Sequence, residues 1–317
     1  MRAFGLALAN SRQATRRHGI YFIAFVRRIV MRLSLRRLPL CSALSVFFST
    51  PCVAGAFLQP PDEGLVIVTT SFAEASKAYD GRGKLVPAPS YDKFETRVYV
   101  EYGVFEKLTL IAETSHMRFR GASSSRQLDD LQILIEEARA GAPLLLPTGA
   151  SGPRYAGIGS GWLGARVGLV EWGSVVVSLQ ASLATASPSA RRFLDMARGF
   201  QQDARLQFGW PIEVLGMPGF ADAQIGYRSF GQRGGEIRAD VTFGLRPFDG
   251  VLLLAQSFAM AAPGNLGSTF MASQKFQLSA IYDVTPKISV QLGGLAAVRG
   301  VNDAAERGVV SALWYRF

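Results

Sequence analysis

After residue 56 this sequence of 317 residues contains no cysteine and one histidine, His116. Cys41 and Cys52 both precede that point. Without thiols the remaining chain cannot form disulfides, which suits a protein exported through an oxidising compartment. One histidine is also too few for a typical zinc or transition-metal site. We therefore expect no metal centre of this kind and no cofactor, while carboxylate sites for calcium in loops stay open.

Long apolar runs are absent too, because no stretch after Ala56 reaches 18 uninterrupted apolar residues. Helical membrane spans are thereby excluded. A basic excess is also missing from most of the chain. The first 56 residues hold nine of the 34 basic residues and no carboxylate, which leaves 25 basic against 24 acidic residues. The high pI therefore does not indicate nucleic acid as a partner.

Residues 1–56 have the features of a signal peptide. Residues 31–37 form a basic region, residues 38–53 an apolar region, and residues 54–56 an A-x-A cleavage site. The apolar region is too short for a membrane anchor and contains two prolines. We predict that Met31 is the true start, that residues 1–30 are an upstream extension, and that residues 57–317 form the mature chain.

The mature part alternates between apolar and polar residues with period two, as strands with one apolar face do. We predict about twelve strands, near 64–76, 92–103, 107–119, 156–171, 174–187, 203–213, 219–231, 235–247, 250–262, 272–283, 287–299 and 308–317.

The connections between these strands are alternately short and mostly longer, which is typical of transmembrane barrels with tight periplasmic turns and external loops. A closed sheet also leaves no unpaired backbone groups in lipid. The predicted fold is all-β, a closed antiparallel barrel of about twelve strands. The predicted location is the outer membrane of a Gram-negative cell, with outer-membrane lipid around it.

The C-terminal strand is amphipathic and ends on aromatic residues, Tyr315 and Phe317. It resembles the signal that the barrel assembly machinery reads, which makes that machinery an expected partner. Residues 123–147 depart from period two, since Leu128, Leu131 and Ile135 recur at helical spacing. We predict a helical insert in the longest external loop. It is either an inward constriction or a helix packed on the rim.

Charged residues cannot face lipid cheaply, so their parity identifies the inner face. The candidates for the lumen wall carry a slight basic excess that favours anionic solutes, and they either line a channel or fill a narrow barrel with ion pairs. They are Glu95, Arg97, Glu101, Glu113, Arg166, Arg205, Asp222, Arg228, Arg238, Asp240, Arg246 and Lys275.

Two motifs invite catalytic or nucleotide-binding interpretations. Ser115 beside His116 raises the possibility of an outer-membrane lipid hydrolase, although an orienting third group is not evident. Residues 159–164 match G-x-G-x-x-G but continue into an alternating strand, whereas the dinucleotide motif opens a helix. We expect no catalytic residues and no nucleotide site here.

Four segments, residues 55–72, 91–110, 152–169 and 219–230, resemble bacterial outer-membrane barrels described as transporter-like or as a phenol meta-pathway family. The shared features are a Gly/Pro/acidic N-terminal strand, an E-Y-G turn and a G-x-G strand carrying Arg166. The resemblance spans most of residues 55–317 and implies passage of small molecules, hydrophobic or aromatic ones included. The helical insert is a departure from the family.

The predicted function is passive diffusion of a small-molecule solute through an outer-membrane channel, without enzymatic activity. The alternatives are the lipid hydrolase and a structural or adhesive barrel whose loops carry the function. The sequence leaves open which solute passes and whether the lumen is open.

Overall fold

The structure is a computed structural model that describes residues 55–122, 153–186, 189, 201–230, 234–263 and 270–317. In this part of the chain no helix has the length and hydropathy of a membrane span. Thirteen strands form one sheet: β1 Gly64–Tyr79, β2 Leu85–Phe105, β3 Leu108–Gly121, β4 Arg154–Trp172, β5 Val175–Ala186, β6 Gln201–Val214, β7 Met217–Ser229, β8 Gly235–Phe248, β9 Val251–Ala262, β10 Met271–Asp283, β11 Ile288–Val301, β12 Asp303–Ala304 and β13 Arg307–Arg316.

The sheet is a closed antiparallel barrel of twelve long strands. Each long strand pairs with its neighbour in sequence, and β13 pairs with β1 to close the ring. The two-residue β12 only extends this seam, pairing with Ala78 and Tyr79 of β1. The predicted all-β barrel with about twelve strands is confirmed.

The two ends of the barrel differ in their connections. One end has the short links 106–107, 173–174, 215–216, 249–250 and 284–287. Tight two-residue links often need positive φ, and Leu215 and Gly216 both have it. Both chain ends of the barrel, Gly64 and Phe317, also lie there. We call this the periplasmic end and the opposite end, with its mostly longer links, the external end.

The first external link is much shorter than predicted. The sequence indicated a connection of residues 77–91, but β1 continues to Tyr79 and β2 begins at Leu85. Pro87 and Pro89 disguised the start of β2. They are tolerated because the β2 residues before Tyr91 have no register partner in β3, so one edge there needs no donors.

Closure at the periplasmic end involves the terminal residue. The backbone groups of Phe317 and Gly64 exchange hydrogen bonds of 3.0 and 2.9 Å. The Phe317 ring stacks on Tyr315 and Tyr102, with centroids 5.9 and 6.5 Å apart, and leaves no room for a Cβ on Gly64. The two predicted assembly residues therefore lie at the closing seam. Their part in assembly stays a prediction.

The outer surface of the barrel exposes large apolar side chains in every region of the sheet, among them Leu163, Trp172, Tyr227, Phe243, Leu278 and Tyr282. A water-soluble barrel would bury such residues, whereas a lipid-facing surface requires them. The predicted signal peptide, up to residue 54, and the predicted helical insert at 123–147 lie outside the described residues.

Candidate functional site in the barrel interior

The interior is built by period two, which sends every second side chain of each strand inwards. In β2 the inner set includes Glu95, Arg97, Tyr99 and Glu101, which alternate with Phe94 and Val98 on the outer face. The strand register then brings inner residues of neighbouring strands side by side. Glu113 of β3, for example, lies opposite Tyr99 of β2.

The most deeply buried charges are Arg166 of β4 and Glu101 of β2. Both are almost inaccessible to solvent, at 1% and 0% exposure, and their ion pair is 2.8 Å long. Arg166 also donates to Gln180 Oε1 at 3.1 Å and to the Tyr99 hydroxyl at 3.3 Å. Burial of two charges is tolerable only with this degree of pairing. The pair is therefore an anchor inside the barrel wall.

A segment before β1 lies inside the barrel against this anchor. Residues 55–60, here called the N-terminal segment, precede the sheet rather than forming part of it. Arg166 donates to the Phe57 carbonyl at 2.9 Å, and Gln59 donates from its side chain to Glu101 at 2.7 Å. The Gln59 backbone N–H donates to Thr109 at 3.0 Å. Polar contacts with β2, β3 and β4 thus hold the segment.

A further strand holds the beginning of the segment. The backbone N–H of Ala56 donates to Asp222 of β7 at 2.6 Å. Gly209 of β6 leaves the space for this path, because a Cβ there would be 2.8 Å from the Phe57 ring and 3.0 Å from Ala56 Cβ. The segment therefore crosses the lumen from β7 towards β3 and contacts strands on several sides.

Apolar inner side chains fill the lumen beside the N-terminal segment. Phe57 and Tyr99 pack against a buried cluster of Leu65, Ile67, Phe220, Leu252, Leu254, Ile281, Ala312 and Trp314. These residues are near the periplasmic ends of their strands. The periplasmic half of the interior is consequently a packed core closed by the N-terminal segment.

The external half of the interior carries charge instead. Arg205 contacts Asp203 at 2.6 Å and Asp240 at 3.0 Å, and Arg228 contacts Asp203 at 2.9 Å. The Arg228 guanidinium also lies 4.4 Å from the Trp162 ring centre, close enough for a cation–π contact. Along this wall charges and one aromatic ring face the same space.

Two more ion clusters complete the external half. Glu306 accepts from Lys93 at 3.2 Å and from Tyr91 at 2.8 Å, and it pairs with Lys275 as well. Arg97 pairs with Glu95 at 3.2 Å, yet 48% of its side chain is exposed. Such exposure inside the barrel means that water reaches this level of the lumen. The contrast with Arg166 shows where the open part of the interior stops.

The twelve candidate lumen residues divide between these halves. Glu101, Arg166 and Asp222 contact the N-terminal segment, whereas Arg246 pairs with Asp283 at 2.8 Å near the periplasmic turns. The others belong to the charged external half: Glu95, Arg97, Glu113, Arg205, Arg228, Arg238, Asp240 and Lys275.

Four acids that the sequence reasoning missed also contact the candidate basic residues. Asp203 binds Arg205, Glu236 binds Arg238, Asp283 binds Arg246 and Glu306 binds Lys275. Among the described residues these four acids offset the basic excess of the candidate set, while the preference for anionic solutes stays a prediction. Strand parity could have identified Asp203 and Glu236, because each lies two residues from Arg205 or Arg238 and therefore on the same inner face. Glu306 precedes β13 and has no strand parity.

The geometry also excludes the proposed pairing of Ser115 and His116. These neighbours in β3 point to opposite faces, Ser115 being buried and His116 exposed on the outer face. Residues 159–164 lie wholly within β4, so the glycine motif opens no helix. Among the described residues no group of acidic, histidine or cysteine side chains is arranged to hold a metal ion.

Comparison with known proteins yields similarities of fold. No family model and no curated protein matches the chain. An outer-membrane channel from Pseudomonas putida F1 has a TM-score of 0.58 and 13% identity, covering 82% of this chain and 97% of that chain. The NanC porin has a TM-score of 0.48 and 9% identity, and the alignment covers 79% of this chain and 98% of the porin. The translocator domain of the autotransporter NalP from Neisseria meningitidis has a TM-score of 0.42 and 11% identity, and the alignment covers 82% of this chain and 90% of that domain.

At these identities the likeness establishes the fold alone, and only the first alignment is strong enough to support an argument. It does not show the phenol meta-pathway family, which stays an expectation. Together with the exposed apolar surface and the periplasmic closure by Phe317, it leads to one conclusion. The chain has the fold of a bacterial outer-membrane β-barrel and is suited to the outer membrane of a Gram-negative cell.

Proposed function

We propose that this barrel is a passive diffusion channel for small molecules, closed at its periplasmic end by the N-terminal segment. One observation carries the proposal: residues 57–60, the part of the N-terminal segment that the predicted cleavage leaves on the mature chain, occupy the lumen without belonging to the barrel wall. A wall strand cannot leave without opening the sheet. The N-terminal segment can be displaced with the loss of a few hydrogen bonds and some apolar packing.

The external half supports entry of solutes to that closure. Arg97 is half exposed inside the barrel, and Arg238 and Lys275 keep 33% and 31% of their side chains exposed. Eight-stranded barrels are filled by their own side chains and barrels of 16 strands enclose aqueous channels. Twelve strands give an intermediate width, consistent with a hydrated vestibule that ends at a narrow, movable closure.

The chemistry of this vestibule favours solutes that combine an apolar part with a polar group. Phe258, 36% exposed, lies on the inner face opposite Lys275 in β10 and Asp240 in β8. Met260 is beside it opposite Arg238. An aromatic ring could pack on Phe258 while its polar substituent meets these charges. Small aromatic molecules with a polar substituent therefore fit the lining best.

A planar-bilayer recording tests the proposal. Wild-type mature protein is compared with a variant lacking residues 57–60, which retains every strand. We expect low or intermittent conductance for the wild type and a larger, steadier conductance for the deletion. Absence of conductance in both proteins, with both correctly folded, would contradict a channel and favour a structural barrel.

A matched pair of point variants refines the test. Gln59→Ala removes a side-chain hydrogen bond that holds the segment, whereas Gln202→Ala changes an exposed glutamine of β6 whose side chain is outside the lumen. We expect more frequent openings for Gln59→Ala alone. Equal behaviour of the two variants would indicate that the segment does not control the passage.

A further inference from the structure

The outer surface of the barrel is chemically uneven. In β5 to β10 none of the described outward positions is Asp, Glu, Lys, Arg or His, as expected for strands that face only lipid chains. The remaining strands carry charged side chains outwards towards the external end. These are Glu74, Asp92, Arg118, Arg120, Arg154, Arg299 and Arg307.

Three of the arginines form one cluster, here called the outer arginine cluster: Arg118, Arg120 and Arg154. Arg120 of β3 lies directly opposite Arg154 of β4, and Arg118 is two residues away on the same face of β3. All three side chains are exposed. Like charges directly opposite each other destabilise a sheet, so this arrangement calls for an anion between them.

Within the described part of the chain the cluster has no ion pair of its own. A contrasting case is Arg307 of β13, which pairs with Glu74 of β1 at 2.8 Å on the same surface. Asp92 lies opposite Arg120 across the β2–β3 ladder but forms no ion pair with it, and it also lies opposite Glu74. A single carboxylate beside three arginines leaves the cluster positively charged.

The cluster also has an apolar surface next to it. Arg118 lies opposite Phe94 of β2, which is 40% exposed, and Ile158 of β4, which is 59% exposed, lies four residues from Arg154 on the outer face. Strongly charged arginines at the external end, adjoining side chains suited to acyl chains, match the border between the headgroups and tails of the outer leaflet. That leaflet consists largely of phosphorylated glycolipid in Gram-negative bacteria.

We propose that Arg118, Arg120 and Arg154 bind the phosphate groups of this glycolipid, lipopolysaccharide, while Phe94 and Ile158 contact its acyl chains. The planar guanidinium forms paired hydrogen bonds with phosphate oxygens, which makes arginine better suited than lysine for this contact. Bound phosphate would relieve the repulsion between Arg120 and Arg154. Binding of this lipid to the outer arginine cluster therefore also stabilises the β3–β4 ladder.

The experiment measures lipid binding to the folded, purified protein by native mass spectrometry, with thermal unfolding in matching vesicles as a second measure. The probes are phosphorylated lipid A, enzymatically dephosphorylated lipid A and inorganic phosphate. The test variant combines Arg118→Gln, Arg120→Gln and Arg154→Gln. The control combines Arg82→Gln, Arg299→Gln and Arg307→Gln, which removes the same charge from other exposed positions.

Each basic residue near a membrane surface contributes roughly a fivefold gain in affinity for anionic lipid, so the test variant should bind phosphorylated lipid A about a hundredfold more weakly. The control should lose much less, and dephosphorylated lipid A should bind wild type weakly. Equal binding of both forms of lipid A, or equal losses in the two triple variants, would overturn the proposal. Displacement of lipid A by inorganic phosphate at comparable concentration would also overturn it, because the site would then bind a soluble anion.

Heat-modifiable migration on gels verifies that both triple variants are folded before binding is measured. If the test variant does not fold in detergent, single replacements of Arg118 and Arg154 give the same comparison with a smaller expected loss. Unchanged lipid A binding in every folded single variant counts against the proposal as well.

Discussion

The two halves of the interior use the same strands for different purposes. In the periplasmic half, Arg166 and Glu101 are fully buried, apolar side chains form a core, and the N-terminal segment fills the remaining space. In the external half the ion pairs are partly exposed, as at Arg97. The comparison shows that one barrel can combine a densely packed core with partly exposed ion pairs, and that the boundary between them lies near Arg166.

The largest expected effect concerns the closing seam at the periplasmic end. Phe317→Asp places a charge where an aromatic ring stacks on Tyr315 and Tyr102. We expect most of the protein to fail in assembly and to accumulate or be degraded in the periplasm. Phe270→Asp, at an exposed site of the external end, is the control and should assemble normally. Cell fractionation and heat-modifiable gel migration measure the assembly of both variants. Equal assembly of the two would show that Phe317 is not needed to close the barrel.

The next effect concerns the anchor. Glu101→Gln leaves the buried Arg166 without its ionic partner, whereas Glu95→Gln removes a partner of the half-exposed Arg97. Breaking a buried pair costs about 3 to 5 kcal/mol of unfolding free energy, and an exposed pair about 0 to 1 kcal/mol. Urea unfolding in lipid vesicles measures the difference. Similar losses for the two variants would mean that the halves are equally solvated.

A smaller effect is expected from filling the space that the N-terminal segment uses. Gly209→Val introduces carbon atoms where the Phe57 ring lies, while Gly161→Val adds the same group at a position with open space around it. Overpacking of this kind costs about 1 to 3 kcal/mol, which should displace the segment rather than unfold the sheet. Conductance should rise for Gly209→Val only. A rise in conductance in both variants, or in neither, would mean that the contact between Gly209 and the N-terminal segment does not control the closure.

The smallest effect concerns solute preference in the external half. Phe258→Ala removes the exposed inner ring, and the control Phe276→Ala removes an exposed ring on the outer face of the neighbouring strand β10. An aromatic contact contributes about 0.5 to 1.5 kcal/mol, equivalent to a two- to tenfold preference. Uptake of an aromatic acid should therefore fall relative to an aliphatic acid of equal charge in Phe258→Ala proteoliposomes. An unchanged ratio of aromatic to aliphatic uptake would mean that Phe258 does not contribute to solute selection.

Much of this architecture follows from alternation in the sequence. Period two identified the strands and assigned Arg166, Arg205 and Asp222 to one face, because charged side chains on the lipid face are costly. The turns at the periplasmic end were also predictable from their short length. Strand boundaries were harder to predict. The prolines near the start of β2 argued against a strand there. They are accepted because β3 does not pair with that part of β2, which only the strand register shows.

The closure could not be predicted in this way. Residues 55–60 have no strand periodicity, and their position depends on partners 42 to 166 residues away, such as Glu101 for Gln59 and Asp222 for Ala56. Glu306 was missed for the same reason, since it meets Lys93 across 213 residues without being in a strand. The contacts of an irregular segment produce no repeating pattern in the sequence, whereas the two faces of a strand are visible as an alternation with period two.

The most direct test is a reversible tether between the N-terminal segment and the barrel wall. Leu58 contacts the position of Gly168, so Leu58→Cys with Gly168→Cys accepts a short, cleavable bifunctional thiol linker, and the chain after residue 56 has no other cysteine. In a planar bilayer the tethered protein should stay closed, and cleavage of the linker should restore openings in the same preparation. Identical conductance before and after cleavage would contradict closure by this segment.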